Sequence, residues 1–240
     1  MLVYREILQL TVYAREGIDY NSLMYFQSRA EAGFRLALDL MQYRYDDCVV
    51  LCLSDGAVLV GQQIAASLHA VLTMMLVEQI DIPGEGTIFG NVNQSGRFTY
   101  NGMFSIGEIE EYFSEYHGYL EDQKRTVTSR INRILSSGGI ANEQMLHGHT
   151  IIVVSDGLPS GASLDAVADY IKPIRIKRLV VVTPIASVDA VDRMHIFGDE
   201  LHVIGVTDNF MGVNHYYENN DIPDHEEVVK IINNAILTWR

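Results

Sequence analysis

"VVSDGLPSGASL", residues 153–164, joins an apolar strand to a helix and decides how the chain is interpreted. The run over 149–155 predicts a buried strand, and the spacing over 161–172 predicts a helix. Residues 160–163 have small side chains, so their backbone N–H groups could approach an anion at the positively polarised start of the helix. This pattern suits a phosphate monoester held mainly by backbone. The alternative is an ordinary turn in which Ser160 or Ser163 caps the helix.

Strands and helices alternate along the chain. A strand at 48–53, a turn at Ser54–Ala57, a helix at 58–70 and a strand at 71–77 predict a βαβ unit with parallel strands. Further strands are predicted at 178–185 and 200–206, with helices at 26–43, 189–196 and 224–237. The sequence therefore predicts an α/β fold, a parallel sheet of about five strands flanked by helices.

A second, smaller region is predicted beside this sheet. Residues 81–107 are rich in Gly, Asn and aromatic residues, and short strand-like pieces predict a hairpin or meander with turns at Asn93–Gly96 and Asn101–Gly102. Residues 107–135 predict a long charged helix, with an interruption at Gly118. We expect one domain over 1–240, with a small hood built from about 1–25 and 80–107.

Composition excludes some classes of function. The 240 residues include 17 basic and 31 acidic ones, a formal net charge of −14. This charge disfavours nucleic acid and anionic membranes as partners. No apolar run is long enough for a membrane helix, and the N-terminus lacks the pattern of a signal peptide, so a cytoplasmic location is expected. Cys48 and Cys52 are expected to be buried free thiols, and no metal ligands are predicted.

The stretch at 153–164 resembles the phosphoribosyl pyrophosphate (PRPP) motif of type I phosphoribosyltransferases. That motif has an apolar strand, two acidic residues, a short variable stretch and Thr-Gly-small-Thr. The resemblance extends in order over about 25–237: "FQSRAEAGFRLALDL" (26–40) is similar to the opening helix, "VVLCLSDGAVLVGQQIAASL" (49–68) to the pyrophosphate-binding strand and loop, and "DNFMGVNHYYENNDIPDHEEVVKII" (208–232) to the tail of a bacterial subgroup.

The resemblance implies a glycosyltransferase reaction, in which a nucleophile attacks the anomeric carbon of PRPP and pyrophosphate leaves with help from Mg²⁺. It implies that Ser155 and Asp156 contact the ribose hydroxyls, with Asp156 as the catalytic residue, and that Mg²⁺ is needed only if PRPP is bound. The implied pyrophosphate loop is Ser54, Asp55, Gly56 and Ala57, and the implied 5′-phosphate site is Gly157, Leu158, Pro159, Ser160, Gly161, Ala162 and Ser163.

The sequence departs from the family pattern at charged positions. Ser155 replaces the first carboxylate of the motif, Asp55 stands where the subgroup has an arginine, and Gln79, beside Glu78, stands where it has a basic residue. Each change weakens binding of a highly charged anion, so the motif is degenerate. The basic residues at 124–133 could compensate, or they could lie on a solvated helix face balanced by acidic residues. Arg29 is expected to make a structural salt bridge.

Two functions of different class stay open. One is a transferase with weak catalysis. The other is a non-catalytic relative that senses a nucleotide or serves as a scaffold. The expected ligand is PRPP or a nucleoside monophosphate, and a homodimer is left open.

Overall fold

A computed structural model of the chain describes residues 25–135 and 138–238. The N-terminal part of the expected hood, apart from Tyr25, lies outside the described residues. Eight strands occur in the described ranges: β1 Cys48–Cys52, β2 Val71–Met74, β3 Val77–Asp81, β4 Ile88–Asn93, β5 Phe98–Tyr100, β6 Thr150–Val154, β7 Arg178–Ser187 and β8 Glu200–Thr207. The α-helices are α1 Arg29–Asp39, α2 Asp55–Leu68, α3 Ile106–Leu135, α4 Glu143–Leu146, α5 Ala162–Ile171, α6 Val188–Phe197 and α7 His225–Asn234.

Five of the strands form a parallel sheet in the order β2-β1-β6-β7-β8. The register pairs Cys48 with Thr150 and Cys52 with Val154, so the carboxyl ends of β1 and β6 lie level with each other. The chain moves outward from β1 to β2 and then crosses back to β6. The boundary between β1 and β6 is therefore a topological switch point, the place where open α/β sheets bind ligands. The predicted α/β fold class is confirmed.

Helices cover both faces of the sheet. Val50 and Cys52 of β1 pack in one buried cluster with residues of α1, α2 and α7. Val49 and Leu51 point to the opposite face and pack with residues of α5 and α6. This alternation has the period of two that a strand imposes, and each buried Val or Leu side chain contributes roughly 1.5–3 kcal/mol to stability.

The start of α2 differs from the sequence prediction. Residues 55–57, predicted as a turn before a helix at 58–70, form the first turn of the helix itself. Ser54 is the N-cap, and its side chain accepts a hydrogen bond from the Ala57 N–H at 2.9 Å. A capping serine followed by a first-turn aspartate stabilises a helix start, which explains why the helix begins earlier than its apolar pattern.

The strands β3, β4 and β5 form an antiparallel sheet in that order. The predicted turn at Asn93–Gly96 is confirmed: the Gly96 N–H donates to the Asn93 carbonyl at 2.8 Å, and Gly96 has a φ of 77°. The long helix α3 follows, and its non-helical residue is Tyr116 rather than Gly118. The division into one domain with a hood stays a prediction.

The two cysteines of the chain were predicted to be buried and unpaired. Cys48 and Cys52 are buried free thiols, as predicted. Burial raises the pKa of Cys48 to about 11, and burial together with the charge of Asp156 raises the pKa of Cys52 further.

In the described ranges, no helix has both the length and the apolar character needed to cross a membrane.

Candidate functional site

A cavity of about 460 Å³ lies beyond the carboxyl ends of β1 and β6. Its wall includes eight residues that the sequence analysis singled out as site residues or departures: Ser54, Asp55, Gln79, Ser155, Asp156, Gly157, Pro159 and Ser163. Its other lining residues include Glu78, Val213 and His225, of which the last two were not predicted to belong to the site. The remaining predicted site residues do not line this cavity: Gly56, Ala57, Leu158, Ser160, Gly161 and Ala162.

Residues 160–163, here called the phosphate cradle, open helix α5 without a side-chain cap. The N-cap residue is Gly161, whose left-handed φ of 67° is accessible to glycine at little cost. The backbone N–H groups of Ser160, Gly161 and Ser163 have no acceptor within the described part of the chain. The Ala162 N–H makes only a long contact of 3.4 Å to the Ser160 hydroxyl. Gly161 therefore has no side-chain cap, and the long Ser160 contact is what remains of the capping alternative in the described chain.

The preceding residues, 157–159, fix the position of the phosphate cradle rather than add donors to it. The Leu158 N–H donates to the Ile185 carbonyl at 3.0 Å, and the Leu158 carbonyl accepts from the Ser187 N–H at 2.9 Å. Leu158 is buried, and Pro159 has no N–H. The donors of the predicted phosphate site are consequently confined to residues 160–163.

Asp156, predicted to contact ribose, lies in a buried network that ties the ends of β1 and β6 together. One carboxylate oxygen accepts from Nε of Arg29 at 2.8 Å. The other accepts from the hydroxyl of Ser54 at 2.9 Å. The Asp156 carbonyl accepts from the Tyr217 hydroxyl at 2.6 Å. Arg29, Ser54, Asp156 and Tyr217 are called the strand-end network below.

Arg29 makes the structural salt bridge that the sequence predicted. It is 2% exposed, its guanidinium lies 4.4 Å from the centre of the Tyr217 ring, and it donates to Oδ1 of Asn214 at 2.7 Å. Burial, reinforced by the charge of Asp156, raises the pKa of Tyr217, so its hydroxyl stays protonated and donates. Gly56 faces this network, and a Cβ at that position would lie 2.2 Å from Oδ2 of Asp156.

Comparisons with known proteins show what the chain is similar to. Two curated proteins from Mycobacterium tuberculosis strains CDC 1551 and H37Rv, both named "Putative phosphoribosyl transferase", are 26% identical over 215 residues. The match covers 88% of this chain and 47% of each relative, so the chain spans about half their length. TT1426 from Thermus thermophilus, known from a crystal structure, is 26% identical in sequence to this chain. The two structures align with a TM-score of 0.66, and the match covers 87% of this chain and 97% of TT1426. No protein-family model matches.

The chain is thus similar in sequence to proteins named as phosphoribosyl transferases. The resemblance identified in the sequence is therefore supported, and the parallel α/β fold is confirmed. The structure shows what the residues that depart from the phosphoribosyltransferase pattern contact. Ser155 is buried, and its hydroxyl is 2.9 Å from the Gly157 carbonyl and 3.3 Å from the Gly157 N–H. It stabilises the turn after β6 through these contacts.

Asp55, where the phosphoribosyltransferase subgroup has an arginine, contacts a residue that the sequence analysis missed. Its Oδ1 lies 3.0 Å from Nδ1 of His225, the first residue of α7. Because a carboxylate only accepts, Nδ1 carries the proton in this bond. Nε2 of His225 is buried and has no partner in the described ranges. The only sequence signal for His225 was its position at the start of the predicted helix at 224–237.

On the hood side of the cavity, the acidic residue Glu78 is held by a basic one. Nη1 of Arg130 lies 2.8 Å from Oε2 of Glu78. Lys124 pairs with Glu121 at 3.0 Å and Arg125 with Asp122 at 3.8 Å, along the surface of α3. These two pairs follow the alternative of a balanced helix face. Arg130 is instead engaged by a residue of the cavity wall.

The residues of the cavity do not fit a metal ion held by the protein. Mg²⁺ prefers oxygen ligands that are free to coordinate. The Asp156 carboxylate pairs with Arg29 and that of Glu78 with Arg130, and no cluster of three or more His, Cys, Asp or Glu that could hold a metal occurs in the ranges 25–135 and 138–238. Mg²⁺ therefore stays an expectation only as a companion of bound PRPP.

Proposed function

We propose that this phosphoribosyltransferase-like protein binds the 5′-phosphate of a ribose 5-phosphate moiety, in a nucleotide or in PRPP, with catalysis weak or lost. The observation that carries the proposal is the uncapped start of α5. Three backbone N–H groups of the phosphate cradle have no acceptor in the described chain, and Ser163 lies on the cavity wall. A helix start with unsatisfied donors attracts a phosphoryl group through both hydrogen bonds and the helix dipole.

The charge of the cavity favours a nucleoside monophosphate over PRPP. The wall carries the carboxylates of Asp55, Glu78 and Asp156. Arg29 and Arg130 neutralise two of these carboxylates. A monophosphate has fewer negative charges than PRPP and needs less compensation, whereas the second anionic group of PRPP would have to lie near Asp55.

A second candidate function is a non-catalytic relative that senses a nucleotide or serves as a scaffold. The observation that favours it is the engagement of Asp156, the residue predicted to be catalytic, by Arg29 and Ser54. A carboxylate that is held in an internal network is poorly placed to assist a reaction at the sugar. The names of the longer relatives do not decide between the candidates, since this chain matches 47% of their length.

Calorimetry with AMP and with PRPP, each with and without Mg²⁺, tests the proposal. We expect PRPP to bind in the millimolar range or not at all, and AMP to bind at least as well without Mg²⁺. Micromolar, Mg²⁺-dependent binding of PRPP would overturn the expectation of lost catalysis and favour a working transferase. Absence of binding by both compounds would overturn the proposed phosphate site.

A further inference from the structure

The antiparallel sheet carries three polar side chains on the face that contacts α5. Asn91 on β4 and Thr99 on β5 are paired directly across the two strands, and Asn93 lies two residues further along β4. Residues two apart on a strand point to the same face, so these three side chains form one group, here called the polar cluster. Asn91 and Asn93 are both 0% exposed.

Contacts on both sides hold the polar cluster against α5. Nδ2 of Asn91 donates to the Ala162 carbonyl at the start of the helix, at 2.9 Å. Further along, Nη1 of Arg97 lies 3.1 Å from Oδ2 of Asp169. Ala166 is buried and shares this helix face by its spacing from the other two helix residues. The helix therefore places only a methyl group between the two contacts.

Each side chain of the polar cluster has one buried atom without a partner in the described part of the chain. These atoms are Oδ1 of Asn91, Nδ2 of Asn93 and Oγ1 of Thr99. The other bonds of the two amides fix which atom is oxygen and which is nitrogen. Nδ2 of Asn91 faces a carbonyl, and Oδ1 of Asn93 accepts from the backbone N–H groups of Ser95 and Arg97. The polar cluster thus offers one acceptor, one donor and one hydroxyl.

We propose that the polar cluster is a binding site for one buried water molecule between the antiparallel sheet and α5. The water donates to Oδ1 of Asn91, accepts from Nδ2 of Asn93 and forms its third hydrogen bond with the Thr99 hydroxyl. Buried waters typically make about three hydrogen bonds to polar groups that would otherwise be unsatisfied. A cation is disfavoured by the N–H groups of the Asn93 amide, and an anion by the Asn91 oxygen.

The proposed water site adjoins the cavity, although the polar cluster does not line it. Gln79 lies on the cavity wall and is the neighbour of Asn91 across β3 and β4. Ser163, also on the wall, follows Ala162, whose carbonyl accepts from Asn91. A water that fixes the Asn91 side chain therefore stabilises two elements that carry the cavity wall. This inference does not depend on the proposed function.

A high-resolution crystal structure of the unmodified protein tests the site directly. We expect one density peak at hydrogen-bond distance, about 2.7–3.2 Å, from Oδ1 of Asn91 and Nδ2 of Asn93. Contacts clearly shorter than hydrogen bonds would indicate a cation and overturn the proposal. Direct bonds among the three side chains, or no density between them, would overturn it as well.

Thr99→Val tests the site in solution, because a bound and an unbound hydroxyl predict different results. Valine has nearly the shape of threonine and also favours strands. If the hydroxyl bonds to a buried water, its loss should lower the midpoint of thermal unfolding by about 2–4 °C. If the hydroxyl has no partner, valine removes a buried unsatisfied group, and the midpoint should stay the same or rise. That second result would contradict the proposal.

The matched control is Thr183→Val. Thr183 is buried in β7, and its hydroxyl donates to the Ile185 carbonyl at 3.0 Å. This control measures the loss of a hydroxyl whose partner is known, so both midpoints should fall by similar amounts. Circular dichroism spectra show whether the two variants fold as the unmodified protein does. A fall in Thr183→Val alone would show that the Thr99 hydroxyl binds no water.

Discussion

The helices that follow β1 and β6 start at the same edge of the sheet, on opposite faces, but use their starts differently. At α2, Ser54 caps the helix and bonds to Asp156, and Asp55 contacts His225. At α5, Gly161 adopts a left-handed conformation and no side chain caps the helix. The start of α2 thus has a side-chain cap on the Ala57 N–H and an acidic first-turn residue, whereas the start of α5 has no side-chain cap. The comparison teaches that two strand–helix junctions of one sheet can begin their helices with different capping groups and different charges.

The two helix starts also differ in charge, since only the start of α2 brings a carboxylate to the cavity wall. The start of α2 brings Asp55 to the cavity wall, and the network behind it contains Asp156. The segment 157–163 contains no charged residue. An anion is therefore expected to lie nearer to α5 than to α2.

The largest expected effect concerns the strand-end network. Arg29→Met removes the cation that pairs with the Asp156 carboxylate, and both side chains are largely buried. Loss of one partner of a buried ion pair leaves an uncompensated charge, so the free energy of unfolding should fall by about 3–5 kcal/mol. Urea denaturation measures this change.

Arg35→Met on the same helix is the control. Arg35 pairs with Glu31 at the surface, with 37% and 31% of the two side chains exposed. Such a pair contributes about 0–1 kcal/mol. Similar losses in both variants would contradict a special role for the junction between β1 and β6.

The second prediction compares substitutions of the glycine at each helix start, Gly161 at α5 and Gly56 at α2. Gly161→Ala places a side chain at a φ of 67° and within 2.8 Å of Cβ of Arg193, which should cost about 1–2 kcal/mol of stability. Because the N–H groups of the phosphate cradle would shift, we expect AMP affinity to fall about tenfold or more. Gly56→Ala crowds Asp156 instead, and should reduce stability more than AMP affinity.

Thermal unfolding and calorimetry on both glycine variants give the two quantities. If folded Gly161→Ala bound AMP like the unmodified protein, the phosphate would not lie on the phosphate cradle. If Gly56→Ala caused the larger loss of affinity, the roles of the two helix starts would be reversed.

The periodicity of the sequence was enough to predict the sheet. Strands such as β1 and β6 are uninterrupted apolar runs, and a parallel sheet covered on both faces requires that pattern. The same reasoning brought residues from the ends of both strands to one cavity, because the carboxyl ends of parallel strands share an edge.

The pairing of the site residues could not be predicted in the same way. Arg29 and Asp156 are separated by 127 positions, and Asp55 and His225 by 170. Whether a carboxylate faces the cavity or an internal partner depends on how α1 and α7 pack against the sheet. Periodicity says nothing about that packing, so the hydrogen-bond partners of Asp156 were not predicted and His225 was missed. The Arg29 salt bridge was expected, but its partner was not named.

The smallest expected effect tests the charge difference between the two helix starts. Asp55→Asn removes a negative charge from the cavity wall while keeping an oxygen that can accept from Nδ1 of His225. At ~4 Å in water, repulsion between two unit charges is about 1 kcal/mol, so AMP affinity should rise about three- to fivefold. Calorimetry at low ionic strength, where screening is weakest, measures the change.

The matched control is Asp47→Asn, which removes the same charge just before β1, at the opposite edge of the sheet. The five residues of β1 separate the two positions by roughly 17 Å, beyond the screening length of about 10 Å at 0.1 M salt. Equal gains in the two variants would show that only net charge matters. No gain at Asp55 would show that the bound anion lies too far from α2 to sense it. A gain confined to Asp55→Asn would mean that the phosphate binds to the start of α5 while the carboxylate at the start of α2 opposes it.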